Sequence, residues 1–141
     1  MSLYSEAFPV EKGDFVTAGE ASAKIKRTLK KLGVNSSVIR RVAVSSYEVE
    51  LNLIIHSLGG QIDFTVTQDD VMLRVTDRGP GIPDIELAMR EGWSTAPEEV
   101  RVMGFGAGMG LPNMRRNASH FDIQSQVGVG TNIMMSFDLK S

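Results

Sequence analysis

At 141 residues, with 42% hydrophobic and 23% charged side chains, the chain fits one globular domain with a core that needs no disulfide or metal staple. A net charge of −2, with acidic and basic residues interspersed, excludes a basic field for nucleic acid or for an anionic membrane. The lack of cysteine excludes a disulfide scaffold, a thiolate metal site and a cysteine nucleophile. No run approaches the ~20 apolar residues of a membrane span, and the N-terminus lacks the apolar segment of a signal peptide, so the chain reads as cytoplasmic.

Residues 3–10 are expected to form a strand. Pro9 has no N–H to donate, which puts that strand at a sheet edge. Asp14 is the expected cap of a first helix. In it Ala18, Ala21, Ile25, Leu29 and Leu32 fall near one side, and Lys24, Lys26, Lys30 and Lys31 cover the other. Gly33 stops it. A second helix is predicted from Asn35 or Ser36 to about Ser57. Its first half is amphipathic, whereas its second half, EVELNLIIHS, is apolar on most faces, which implies burial. Gly59-Gly60 ends it.

Two alternating strands follow, with Ile62, Phe64 and Val66 on one face of the first and Val71, Leu73 and Val75 on one face of the second. Gln68-Asp69-Asp70 reads as their hairpin turn. The second strand runs into DRGPGIPD, where Pro83 and Asp84 open a short helix to about Arg90. Residues 91–110 are loop-like. A helix over Leu111 to Asn117 comes next, then strands near 121–127 and 131–139 joined by the turn GVGT. This order predicts an α+β fold: a two-layer α/β sandwich, its sheet mixed but mostly antiparallel, with helices on one face.

Asp77 ends a strand and is followed by Gly79 and Gly81. Glycines so spaced let the backbone approach a planar ligand, and the carboxylate can accept a hydrogen bond from an exocyclic amine such as adenine N6. An ordinary strand-to-helix turn has the same composition. Gly104, Gly106, Gly108 and Gly110 expose successive N–H groups ahead of a helix, which suits phosphate; a surface loop is the other reading. No GK[ST] follows, and the loop sits too late in the chain for a dinucleotide fingerprint.

Glu48 and Asn52 are four residues apart and share a helix face. A carboxylate and an amide oxygen suit Mg²⁺, and Glu48 can orient or deprotonate an attacking hydroxyl or water. A solvated polar stripe is the alternative. Val49, Leu51, Leu53, Ile54 and Ile55 weigh against it, because burying a charge without a partner is costly. Glu50, two residues from each, points elsewhere. His56 either contacts phosphate or simply ends the helix. His120 has no identifiable partner, and two histidines without clustered carboxylates do not make a transition-metal site. The Thr131 hydroxyl either reaches a base or a water beside it, or the residue merely favours the strand.

Taken in order, ExxxN (Glu48, Asn52), DxGxG (Asp77, Gly79, Gly81), GxGxG before a helix (Gly106, Gly108, Gly110) and a terminal GT (Gly130, Thr131) resemble the GHKL ATPases. The match spans roughly residues 10–139. NLIIHS, GPGIPDIELA and GFGAGMGL resemble the bacterial anti-sigma factor and switch-kinase branch of that family. The resemblance implies the Bergerat ATP-binding fold, with ATP and Mg²⁺ as ligands. It makes Glu48 the catalytic base and Asn52 the Mg²⁺ ligand. It assigns Asp77 to adenine N6, with Gly81 packed against the base and Gly79 a further nucleotide-binding residue. It places Gly104, Gly106, Gly108, Met109, Gly110, Leu111 and Thr131 around the nucleotide, and makes residues 91–105 the ATP lid.

The implied reaction phosphorylates a Ser or Thr of a small STAS-domain antagonist. A sigma factor or a phosphatase is a further implied partner, and dimerisation through the sheet or first helix fits the resemblance. Two other functions remain open. One is a non-catalytic module whose nucleotide state gates partner binding; the other is a scaffold that has lost nucleotide binding.

Overall fold

The apolar–polar alternation of residues 61–67 and 71–75 builds the middle of a sheet, β2 (Gly60–Thr67) and β3 (Asp70–Asp77), in a computed structural model that describes residues 2–55, 58–79, 85, 89 and 110–139. With β1 (Ser2–Val10), β4 (His120–Gln126) and β5 (Gly130–Asp138), the strand order is β1-β2-β3-β5-β4. Each of these pairings is antiparallel. β1 holds the edge position that Pro9 requires. At the β2–β3 turn the Thr67 hydroxyl oxygen accepts the N–H groups of Asp69 and Asp70, both at 3.1 Å.

Three helices are described: α1 (Glu20–Lys31), α2 (Ser36–Ile55) and α3 (Gly110–Asn117). α2 lies between the other two and packs on both. Asn35 caps it, its Oδ1 accepting the Ser37 N–H at 2.8 Å. Gly33 ends α1 as expected, at φ 77°, and the Val34 N–H returns to the Leu29 carbonyl at 3.1 Å. Ala21, Ile25 and Leu29 are buried, while Leu32 lies past the end of α1 and is exposed.

The start of α1 differs from expectation. Asp14 does not cap it; its carboxylate takes the Thr17 N–H (3.3 Å) and hydroxyl (2.6 Å) and holds a turn well ahead of the helix. Gly19, at φ 95°, precedes Glu20 and provides no side-chain cap. The N–H groups of Ala21 and Ser22 donate instead to the two oxygens of Glu50 on α2, each at 3.2 Å. A tertiary carboxylate has replaced the local one.

Ile62, Phe64 and Val66 of β2, Val71, Leu73 and Val75 of β3, and Ile133, Met135 and Phe137 of β5 meet Ile25, Leu29, Val42, Val49, Leu53 and Met114 of the helices in one core. The alternate positions of these strands are half-buried or exposed and mostly polar. The helices therefore share one face of the sheet. The expected helix over 83–90 and the lid over 91–105 fall largely outside the described residues. An α-helical bond from the Met89 N–H to the Ile85 carbonyl, 3.0 Å, is described there. No helix among the described residues is long and apolar enough to cross a membrane.

Candidate functional site

The second half of α2 is buried at Val49, Leu51, Leu53 and Ile54. Glu48 and Asn52 are half-buried among them, on one helix face as their spacing requires. Burial pushes the Glu48 carboxyl above its ordinary value, and a hydrogen bond from Asn113 Nδ2, at 3.4 Å, partly offsets this. Asn113 lies one turn into α3 and is itself held, because Arg116 Nη2 donates to its Oδ1 at 2.8 Å. A guanidinium has no acceptor, so the amide oxygen faces the arginine and the NH₂ faces Glu48. Glu50 turns away from this face, as expected. Burial raises it too, opposed by the N–H groups of Ser22, Ala21 and Gly19 at the start of α1.

Asp77 closes β3 between two glycines. Gly60 of β2 stands opposite it in register. A Cβ on Gly60 would lie 2.3 Å from the Thr76 carbonyl oxygen and 2.8 Å from Asp77 Cα. A Cβ on Gly130 of β5 would lie 2.2 Å from the Asp77 carbonyl oxygen. Neither approach is open to any other residue type. The Thr131 N–H donates to Asp77 Oδ1 at 2.7 Å. Burial raises the Asp77 carboxyl, and this N–H pulls it back. Thr131 thus meets the site through its backbone. Its hydroxyl pairs with Ser125 Oγ at 2.9 Å.

The segment after Asp77 is held from two sides. The Leu58 N–H reaches the carbonyls of Arg78 (3.1 Å) and Gly79 (3.2 Å), and the Gly79 N–H donates to Val129 O at 2.6 Å. α3 opens at Gly110, the last glycine of the box, and is seated by Leu111 and Met114, both buried. Gly81, Gly104, Gly106, Gly108, Met109 and His56 lie outside the described residues. His120 is exposed, with Nε2 3.9 Å from Asp138 Oδ2, a surface pair away from these groups. Among the described residues no cluster of three or more His, Asp or Glu side chains is arranged to hold a metal.

Sequence reasoning missed Asn113, which looks like any exposed polar residue of a short helix. It also missed Gly60, whose place in a Gly-Gly pair was explained well enough by a helix stop. The polar side chain three residues past the glycine box was the available signal.

The family model for histidine kinase-, DNA gyrase B-, and HSP90-like ATPases matches residues 23–141. The chain is similar to the serine/threonine-protein kinase RsbT of Bacillus subtilis, 30% identical over 112 residues, covering 77% of this chain and 78% of that protein. It is also similar to the anti-sigma F factor of Thermoanaerobacter sp. (strain X514), 33% identical over 101 residues, covering 68% of this chain and 66% of that protein. The corresponding factor of Caldanaerobacter subterraneus is 32% identical over the same length.

Proposed function

Because this chain belongs to the histidine kinase-, DNA gyrase B- and HSP90-like ATPases, we propose that it is a cytoplasmic ATP-dependent protein serine/threonine kinase of the partner-switching kind, acting on a STAS-domain antagonist. The observation that carries this reading is Glu48. It is a half-buried carboxylate, raised by its surroundings, on the same helix face as Asn52. A group raised in this way is a stronger base that can still ionise.

The donor set suits the ligands the family implies. Asp77 has one oxygen occupied by Thr131 N–H, so its other oxygen is the acceptor for adenine N6. Gly60 and Gly130 let neighbouring backbone close in on Asp77. By the family pattern, the box Gly104–Gly110 and the start of α3 would offer N–H groups to phosphate oxygens. Asn52 would hold Mg²⁺, with phosphate oxygens and water completing its shell. When bound, the ion neutralises charge on the phosphates.

In the transfer, Glu48 accepts the proton of the Ser or Thr hydroxyl. The hydroxyl oxygen bonds to the γ-phosphorus as the bond from that phosphorus to the β,γ-bridging oxygen breaks, releasing ADP. Incubation with γ-labelled ATP, Mg²⁺ and STAS-domain proteins encoded nearby should label one of them on Ser or Thr. Glu48→Ala should lower that labelling by about 10²-fold or more while ATP still binds. Undiminished labelling removes Glu48 from this role.

The similarity to anti-sigma F factors supports a second reading, a nucleotide-gated binding module. In that case Asp77→Asn abolishes ATP-dependent partner capture, and Glu48→Ala leaves capture intact with no phosphotransfer to lose.

A further inference from the structure

We propose that Asn113 is a positioning residue for phosphotransfer, its amide anchored by Arg116 and holding the Glu48 carboxylate toward α3. This rests on the assignment of Glu48 as the base. The geometry is a relay across two helices. Arg116 Nη2 donates to Asn113 Oδ1 at 2.8 Å, and Asn113 Nδ2 donates to Glu48 Oε1 at 3.4 Å. The fixed donor sense of the guanidinium sets the sense of the amide, so Glu48 meets a donor and never an acceptor. A donor stabilises the ionised carboxylate, the form a base must hold before it can take a proton.

Asn113 is also well placed to report on the phosphate loop. α3 starts at Gly110, so one helical turn separates the end of the glycine box from the contact with Glu48. At 3.4 Å the contact with Glu48 is at the long end for such a hydrogen bond.

Among the described residues, the charged groups on the elements around Glu48 have other partners or are exposed. Arg116 of α3 reaches it through Asn113, and Arg115 of α3 is exposed. Glu50 of α2 is bonded to the start of α1, where Glu20 acts on Glu50. Asp77 of β3 is bonded to Thr131, and Glu6 of β1 to Lys24. Among the described residues, burial and Asn113 are the causes acting on Glu48. Removing the amide leaves burial unopposed, and the carboxyl must move further up.

Asn113→Leu keeps the side chain's size and removes the donor. In the full chain, the acidic limb of kcat for phosphotransfer should then move to higher pH. On the acidic side of that limb kcat should fall about three- to tenfold; on its alkaline side it should approach wild type, with KM for ATP within about twofold throughout. Asn113→Gln, which restores an amide, should bring the limb back toward wild type.

A ¹³C NMR titration of the Glu48 carboxyl in the nucleotide-free protein should give the same order, with Asn113→Leu titrating at higher pH than wild type. Superimposable titrations of the two proteins overturn the proposal whether or not the protein is a kinase. If Asn113→Leu does not fold, Asn113→Ala takes its place in the titration. A wild type that labels no acceptor overturns the kinase reading instead. The titration then still decides whether Asn113 controls Glu48.

Discussion

Asp77 and Glu48 are both carboxylates raised by burial, and among the described residues each is supported by an N–H donor, a backbone amide for one and a side-chain amide for the other. A raised acid makes folding favour the protonated form, so its share of stability is present at low pH and is lost as pH rises through the folded value. Glu48→Gln removes that loss. The variant should therefore melt about 2 °C above wild type at pH 8, a small gap because the group is partly solvated. The gap should close below the unfolded carboxyl value, and melting curves across pH would check it. At Gly130 the issue is space. Gly130→Ala sets a methyl 2.2 Å from the Asp77 carbonyl oxygen at φ 151°. It should cost about 2–3 kcal/mol in urea unfolding and weaken adenine nucleotide binding as Asp77 shifts.

At the scale of elements, the join between α1 and α2 depends on Glu50. Its two oxygens satisfy N–H groups that Gly19 leaves open. Glu50→Ala should destabilise the protein by about 2–3 kcal/mol. Hydrogen exchange at Ala21 and Ser22 should quicken more than in α3. Most elements were legible because their signals are local. Ile62, Phe64 and Val66 alternate, Asn35 caps with its own side chain, and Gly33 permits the backbone turn that ends α1. The start of α1 was not legible. Asp14 has the chemistry of a cap, but the carboxylate that does the capping comes from Glu50, far along the chain. Glu48, Asn52 and Asp77 stand out in the sequence because polar side chains in apolar surroundings are conspicuous. Asn113, Gly60 and the backbone role of Thr131 do not, because each depends on which strand or helix lies alongside.

At the scale of the molecule, one core ties the three described helices to the sheet. A ligand that engages α2, α3 and β3 together should stabilise the whole fold, not a part of it. Mg·ADP at about a hundred times its Kd should raise the melting temperature by about 5–10 °C in one cooperative transition. Asp77→Asn should lose most of that rise. A two-step transition would mean that α1 and β1 melt apart from the ligand-bearing part.

The flank that Gly130 and Thr131 give to Asp77 comes from the last strand in the sequence, while Asp77 itself and Gly60 come from the middle. During synthesis, residues 36–77 leave the ribosome well before residues 130–138. Until then β3 has an unpaired side and the Asp77 carboxylate lacks its donor. Nucleotide affinity should therefore appear late, when β5 docks, and chains stalled before that point should not withdraw ATP or capture a partner. The pairing of β5 with β3 thus supplies the Asp77 donor only after β2 and β3 have been made.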